Sequence, residues 1–185
     1  MGKLKRVRLL AMDVDGVLTD GSMVIGQHGD TKVFNVLDGL GISLAMEAGL
    51  DIAWVSGNNS TVVSERARSL GVEEVHQAER YKSVALREVA ERKGLSLEEV
   101  AYIGDDLNDL PAFEASGVAF AVANAAPEVK AAADYVTERS GGRGAVREVI
   151  EMILKAQGRW DDGVRAFLET LRRQQEKGEA PGQVA

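Results

Sequence analysis

The sequence predicts an α/β fold in which a mainly parallel β-sheet carries helices on both faces. Three observations lead there. Short apolar runs alternate with segments of helical period, and most of the runs end in polar or glycine-rich turns. At the ends of three of them stand Asp13, Ser56 and Asp105, which suggests that three strand ends converge.

The strands are read, in order, from "RVRLLAMDV", "DIAWVSG", "EEVHQA", "VAYIGDD", "GVAFAV" and "DYVTE". Between them, "GISLAMEAG", "STVVSERARSL", "KSVALREVAERKG" and "DLPAFEAS" read as helices. One segment departs from this alternation. "SMVIGQHGDTKVFNV" sets two β-rich runs around "GQHGD" and predicts a hairpin over about 22–36, inserted after the first strand. From Gly144 to Leu154, the residues Val146, Val149, Ile150, Ile153 and Leu154 fall on one helical face. Val164, Phe167, Leu168 and Leu171 predict a further short amphipathic helix, and the polar end from Arg172 onward is expected to be loose. The expected layout is a Rossmann-like domain over 1–157, then a C-terminal helix and flexible tail over 158–185.

Composition narrows the function. A chain of 185 residues with 45% hydrophobic and 28% charged residues is sufficient for one ordinary globular core. The net charge of -7 argues against a partner held through nucleic-acid phosphates. No cysteine is present, which excludes disulfides and thiolate metal sites, and two histidines, His28 and His76, are too few for a His-rich one. The apolar run near the start is too short for a signal peptide or a membrane span, so a cytoplasmic protein with no membrane partner is expected.

The chemistry begins at "DVDGVLTD". A carboxylate at the end of a buried strand is costly unless something compensates it. Asp13 and Asp15 lie two apart, so on a straight strand they would share a face, and Gly16 lets the chain turn tightly beside a ligand. Such a hard oxygen site suits Mg²⁺ better than zinc. Alone it would equally be a turn with solvated acids. "IGDDLNDLP" repeats the layout: Asp105, Asp106 and Asp109, with Asn108 among them, follow another apolar run. A second cluster of like charge beside the first requires a cation. "WVSGNNS" offers Ser56, Gly57 and backbone N–H groups in a turn that opens a helix, an arrangement that binds anions. Lys82 stands at a helix start, against the helix dipole; a lysine is usually a surface residue and singly would carry no weight.

Taken in this order, the four motifs resemble those of haloacid-dehalogenase-type phosphatases, and the resemblance runs from about Leu9 to Val149. It implies that Asp13 is a nucleophile forming an aspartyl-phosphate and that Asp15 is the general acid and base. It further implies that Asp13, the main-chain carbonyl of Asp15 and Asp105 hold Mg²⁺. Ser56, Gly57 and Lys82 would bind phosphoryl oxygens, with Asp106, Asn108 and Asp109 in support. Only about two dozen residues separate Ser56 from Lys82, so no cap domain fits.

The hairpin, "FNVLDGLGI" and "SGGRGAVREV" resemble the small capless phosphatases of 3-deoxy-D-manno-octulosonate 8-phosphate. That resemblance implies a homotetramer, in which Lys32 lies near a neighbour's substrate; read by itself, Lys32 is an exposed edge-strand lysine. Leu37 and Asn58 stand where that subfamily usually has arginines, and Arg143 is a candidate replacement as a carboxylate clamp. The expected substrate is therefore the octulosonate phosphate or a related 2-keto-3-deoxy sugar acid phosphate such as a nonulosonate 9-phosphate. Two other classes compete. A receiver-type signalling domain needs no acid at the position of Asp15, and an idle oligomeric module gains nothing from clustered carboxylates.

Overall fold

The computed structural model describes residues 2–26 and 29–177. Its centre is strand β1 (Leu9–Met12), every residue of which is buried. β2 (Val24–Gly26) and β3 (Gly29–Thr31) form a separate antiparallel ribbon, followed by helix α1 (Val36–Glu47). Next come β4 (Asp51–Val55), α2 (Thr61–Leu70), β5 (Glu74–His76), α3 (Lys82–Arg92) and β6 (Val100–Gly104). α4 (Leu110–Ala115), β7 (Val118–Ala121), α5 (Pro127–Ala132) and β8 (Tyr135–Val136) complete the alternation, and α6 (Ala145–Ala156) and α7 (Trp160–Glu176) close it.

The main sheet has six parallel strands in the order β5-β4-β1-β6-β7-β8. The chain moves outward from β1 through β4 to β5, then crosses back to place β6 on the other side of β1. This reversal opens a crevice beyond the carboxyl ends of β1, β4 and β6. All six expected strands are present and all are parallel. α1 packs against α2, α6 and α7, while α3 packs against α4, which touches α5; these two layers cover the sheet. The buried face of α6 is the one its periodicity predicts: Val146, Val149, Ile150, Ile153 and Leu154. No separate cap interrupts the described residues.

Three expectations need correction, and one helix was not foreseen. α1 begins at Val36, upstream of the predicted helix, because Asn35 caps it by accepting from the Leu37 N–H at 2.8 Å. α1 contains Gly39 and Gly41 despite the low helix propensity of glycine: at Gly41 a Cβ would come within 2.9 Å of Arg147 Cδ, so close packing against α6 takes precedence over propensity. The hairpin strands are three residues each, and pairing ends at Thr31; the residues between Gly26 and Gly29 lie outside the described ones. α7 continues through Glu176, so the polar end is helical up to there, and the segment from 178 onward lies outside the described residues. Finally, α5 was not predicted: six residues are too few to show a period, although Pro127 at its first turn was a visible signal.

Candidate active site

β1 stops at Met12, so Asp13 and Asp15 share a turn rather than a strand face. Asp13 Oδ1 accepts from the Val14 N–H at 2.7 Å, which fixes the carboxylate at the strand end. Gly16 turns the chain with φ +93°, and any side chain there would collide with the carboxylate of Asp105. Thus the glycine brings the ends of β1 and β6 together. The turn is backed by Gly141, whose position a Cβ could not share with the Gly16 carbonyl, and by a bond from the Gly142 N–H to the Val17 carbonyl at 2.9 Å.

A cavity of about 430 Å³ lies over this turn, lined by Asp13, Asp15, Gly57, Asn58, Asp105, Asp106 and Asn108, with Gly21 at its side. A larger groove of about 650 Å³ at the opposite end of the sheet is lined by Lys5, Arg8, Lys155 and Arg159 and contains no carboxylate. The acids make the smaller cavity the candidate site.

Lys82 lies behind Asp13. Its ammonium is 2.8 Å from Asp13 Oδ2 and 2.7 Å from Asp109 Oδ1, and its side chain is 1% exposed. Asp109 is fully buried and takes three more donors: the Tyr102 hydroxyl at 2.9 Å and the N–H groups of Asp105 at 2.9 Å and Asp106 at 3.3 Å. Among the described residues, oxygens of Asp13, Asp105 and Asp109 lie within 4.8 Å of one another. Asp109 is already saturated by its four donors. In contrast, Asp105 Oδ1 is buried with no hydrogen-bond partner. A buried anionic oxygen without a donor suits a cation. The donors present thus fit a metal held by Asp13 and Asp105.

Electrostatics agree. Burial, and then the charge of Asp109, push the Asp13 carboxyl up to about 7, against the pull of Lys82. Burial, and then Asp13 and Asp109, likewise raise Asp105 to about 7. Burial opposes the charge of Lys82, but Asp13 and Asp109 outweigh it and hold the ammonium above the usual lysine range. One lysine does not balance three crowded carboxylates.

Ser56 directly follows β4, buried, with its N–H on the His76 carbonyl at 2.8 Å and its Oγ accepting from the Asn58 N–H at 3.2 Å. Gly57 lines the cavity beside it. Asp106 caps the short turn Leu107–Asp109 through the Leu107 N–H at 2.8 Å, which leaves Asn108 facing the cavity. Lys32 is not an exposed edge lysine. The chain turns inward after Thr31, and the Lys32 ammonium pairs with Asp15, its side chain closed to solvent. Arg143 does not line the cavity; it is 71% exposed, with Asp20 at 3.7 Å. Sequence reading missed Tyr102, although a tyrosine within a buried strand needs a partner for its hydroxyl. It also missed Asn58 as a donor to Asp15 at 2.9 Å.

Residues 52–150 match the family model of haloacid dehalogenase-like hydrolases. A 3-deoxy-D-manno-octulosonate 8-phosphate phosphatase of Escherichia coli (strain B / BL21-DE3) is 43% identical over 88% of this chain and 87% of its own. The chain belongs to the haloacid dehalogenase-like hydrolases. Within that family, the Moraxella catarrhalis octulosonate 8-phosphate phosphatase, solved with magnesium, phosphate and KDO, has a TM-score of 0.86 at 41% identity over 90% of this chain and 96% of that one. The cobalt-bound enzyme of Haemophilus influenzae has a TM-score of 0.85 at 42% identity over 90% and 99%. The expected fold, family and enzymatic class therefore hold. No described helix is long and apolar enough to cross a membrane.

Proposed function

We propose that this hydrolase is a cytoplasmic, Mg²⁺-dependent phosphatase of 3-deoxy-D-manno-octulosonate 8-phosphate, working through an aspartyl-phosphate on Asp13. The observation that carries the reading is the state of the Asp13 carboxylate. It faces the cavity, anchored by the Val14 N–H on one oxygen and by Lys82 on the other, with the unpartnered Asp105 oxygen beside it. The relatives that act on this sugar acid phosphate support the choice of substrate.

Asp13 attacks phosphorus as the bond from phosphorus to the sugar oxygen breaks, and Asp15 gives that oxygen its proton. Water then attacks the same phosphorus, passes a proton to Asp15 and releases inorganic phosphate together with the Asp13 carboxylate. Ser56 and the Gly57 backbone receive the phosphoryl oxygens, and Lys82 balances charge from beneath. Mg²⁺ on Asp13, Asp105 and the Asp15 carbonyl would supply the positive charge that the crowded acids lack. Asp109 holds Lys82 and the loop that carries Asp105. An acid at position 15 and the second acidic loop favour hydrolysis over receiver-type storage of a phosphoryl group.

Assembly is part of the reading. Val24, Ile25 and Val33 are 65%, 79% and 76% exposed, more apolar surface than a two-stranded ribbon hides by itself. A homotetramer joined through the hairpins would cover it. The absence of arginines at Leu37 and Asn58 keeps other 2-keto-3-deoxy sugar acid phosphates, including nonulosonate 9-phosphate, as the alternative substrates. The test is phosphate release from a panel of phosphorylated sugar acids with Mg²⁺. The octulosonate 8-phosphate is expected to give the highest kcat/KM; a preference of about tenfold or more for another member would replace it.

A further inference from the structure

Asp15 is held from two sides by groups from two different segments. Its Oδ1 meets the Lys32 ammonium, which is closed to solvent and also has Asp30 at 3.6 Å. Its Oδ2 accepts from Asn58 Nδ2 at 2.9 Å. The backbone of Asn58 is itself fixed at both ends. Its N–H donates to Ser56 Oγ at 3.2 Å, and its carbonyl accepts from the Ala78 N–H at 3.1 Å. Ala78 reaches that carbonyl from a left-handed backbone, φ 59°, a conformation that costs a non-glycine residue on the order of 1 kcal/mol. The fold thus retains local strain at the point that anchors Asn58. The asparagine side chain has only two torsions to order, and it delivers its amide to the wall of the cavity in which Asp13 lies.

We propose that Asn58 is a positioning residue for Asp15: together with Lys32 it fixes the plane of that carboxyl group so that it faces the oxygen leaving phosphorus. The proposal rests on the reading of Asp15 as acid and base. Misplacement of such a group slows proton transfer far more than it weakens binding. The loss should therefore grow with the basicity of the leaving oxygen. A nitrophenolate departs with little help, whereas phenolate needs its proton.

The experiment compares Asn58→Ala, Asp15→Asn and the double variant on p-nitrophenyl phosphate and phenyl phosphate with Mg²⁺. Asn58 is exposed, so its truncation leaves the core intact, and a thermal melt checks this. Asn58→Ala is expected to lower kcat on phenyl phosphate by about tenfold or more, with KM little changed, and on p-nitrophenyl phosphate by under about threefold. Added to Asp15→Asn, it should cost nothing further, because the group it positions is gone. Equal losses on both substrates, or an undiminished loss in the Asp15→Asn background, would overturn the proposal while leaving the acid–base role of Asp15 standing. An Asp15→Asn variant with parental turnover on phenyl phosphate would overturn that role, and the proposal with it.

Discussion

The Lys82 ammonium stands 2.7 Å from Asp109 and 2.8 Å from Asp13, and neither the Lys82 nor the Asp109 side chain is more than 1% exposed. Without Asp109 the buried Lys82 ammonium keeps only Asp13 as a carboxylate partner. Asp109→Ala would also strand the Tyr102 hydroxyl and two backbone N–H groups. With these three donors left without an acceptor it is expected to cost about 3–5 kcal/mol, read by urea denaturation, and to abolish turnover. Tyr102→Phe removes one of four donors and should cost only about 1 kcal/mol.

Asp13→Asn is expected to fold, because the amide oxygen can still accept from the Val14 N–H and one of three crowded charges disappears. Turnover should fall by at least about a thousandfold in a phosphate-release assay. Turnover within about tenfold of the parent would remove Asp13 from the nucleophile's role.

The metal-free protein should lose stability as pH rises from about 4 to about 7. Asp13 and Asp105 both have folded values raised to about 7 from 3.8, so between those limits the folded chain binds more protons than the unfolded one. Their contribution is complete below the unfolded value and is gone above the folded one. The lowered carboxyls, such as Glu99 and Asp134, act in the opposite direction but only in acid, as pH falls through the usual carboxylate range and below. Melts in chelator at pH 5, 6, 7 and 8 should show a falling Tm, and Mg²⁺ should restore more at pH 8 than at pH 5. A Tm gain from Mg²⁺ that is independent of pH would contradict this.

Gly141→Ala tests the backing of the Asp13 turn. The new methyl would overlap the Gly16 carbonyl, a backbone atom that cannot step aside. A cost of about 1–3 kcal/mol is expected, with a larger fractional loss of kcat than of substrate affinity.

Ile25→Asp, at the most exposed apolar residue of the hairpin, should dissociate the proposed tetramer. Sedimentation is expected to give four times 19.8 kDa for the parent and smaller species for the variant. An active parent monomer would rule out the tetramer.

Much of the site could be read from the chain because acids at the ends of apolar runs are costly and so conspicuous. Asp13, Asp15, Asp105 and Asp106 line one cavity, as their positions after β1 and β6 implied. Burial of Lys82 was not legible. Lysine belongs at the surface unless its partners are known, and here one partner, Asp109, lies 27 residues further along the chain. Lys32 escaped for a different reason: a strand pattern predicts alternating faces, but the strand stops one residue before it. Asp38 was hidden altogether. It stands in the first turn of α1, ahead of the helix read from the sequence, and its oxygens accept from the N–H groups of Gly144, at 3.2 Å, and Arg147, at 2.9 Å, closing the start of α6. Burial lifts its carboxyl above the usual range against those bonds. Nothing local to residue 38 announces a partner so far along the chain.

That distant fastening has a consequence for how the protein is made. The turn that bears Asp13 emerges early in synthesis, but Gly141 and Gly142, which hold it in shape, and the α6 start that Asp38 caps are translated last of all the parts it needs. A nascent chain therefore carries the Asp13 turn unfastened through most of translation, and activity should arise in one late step rather than by increments.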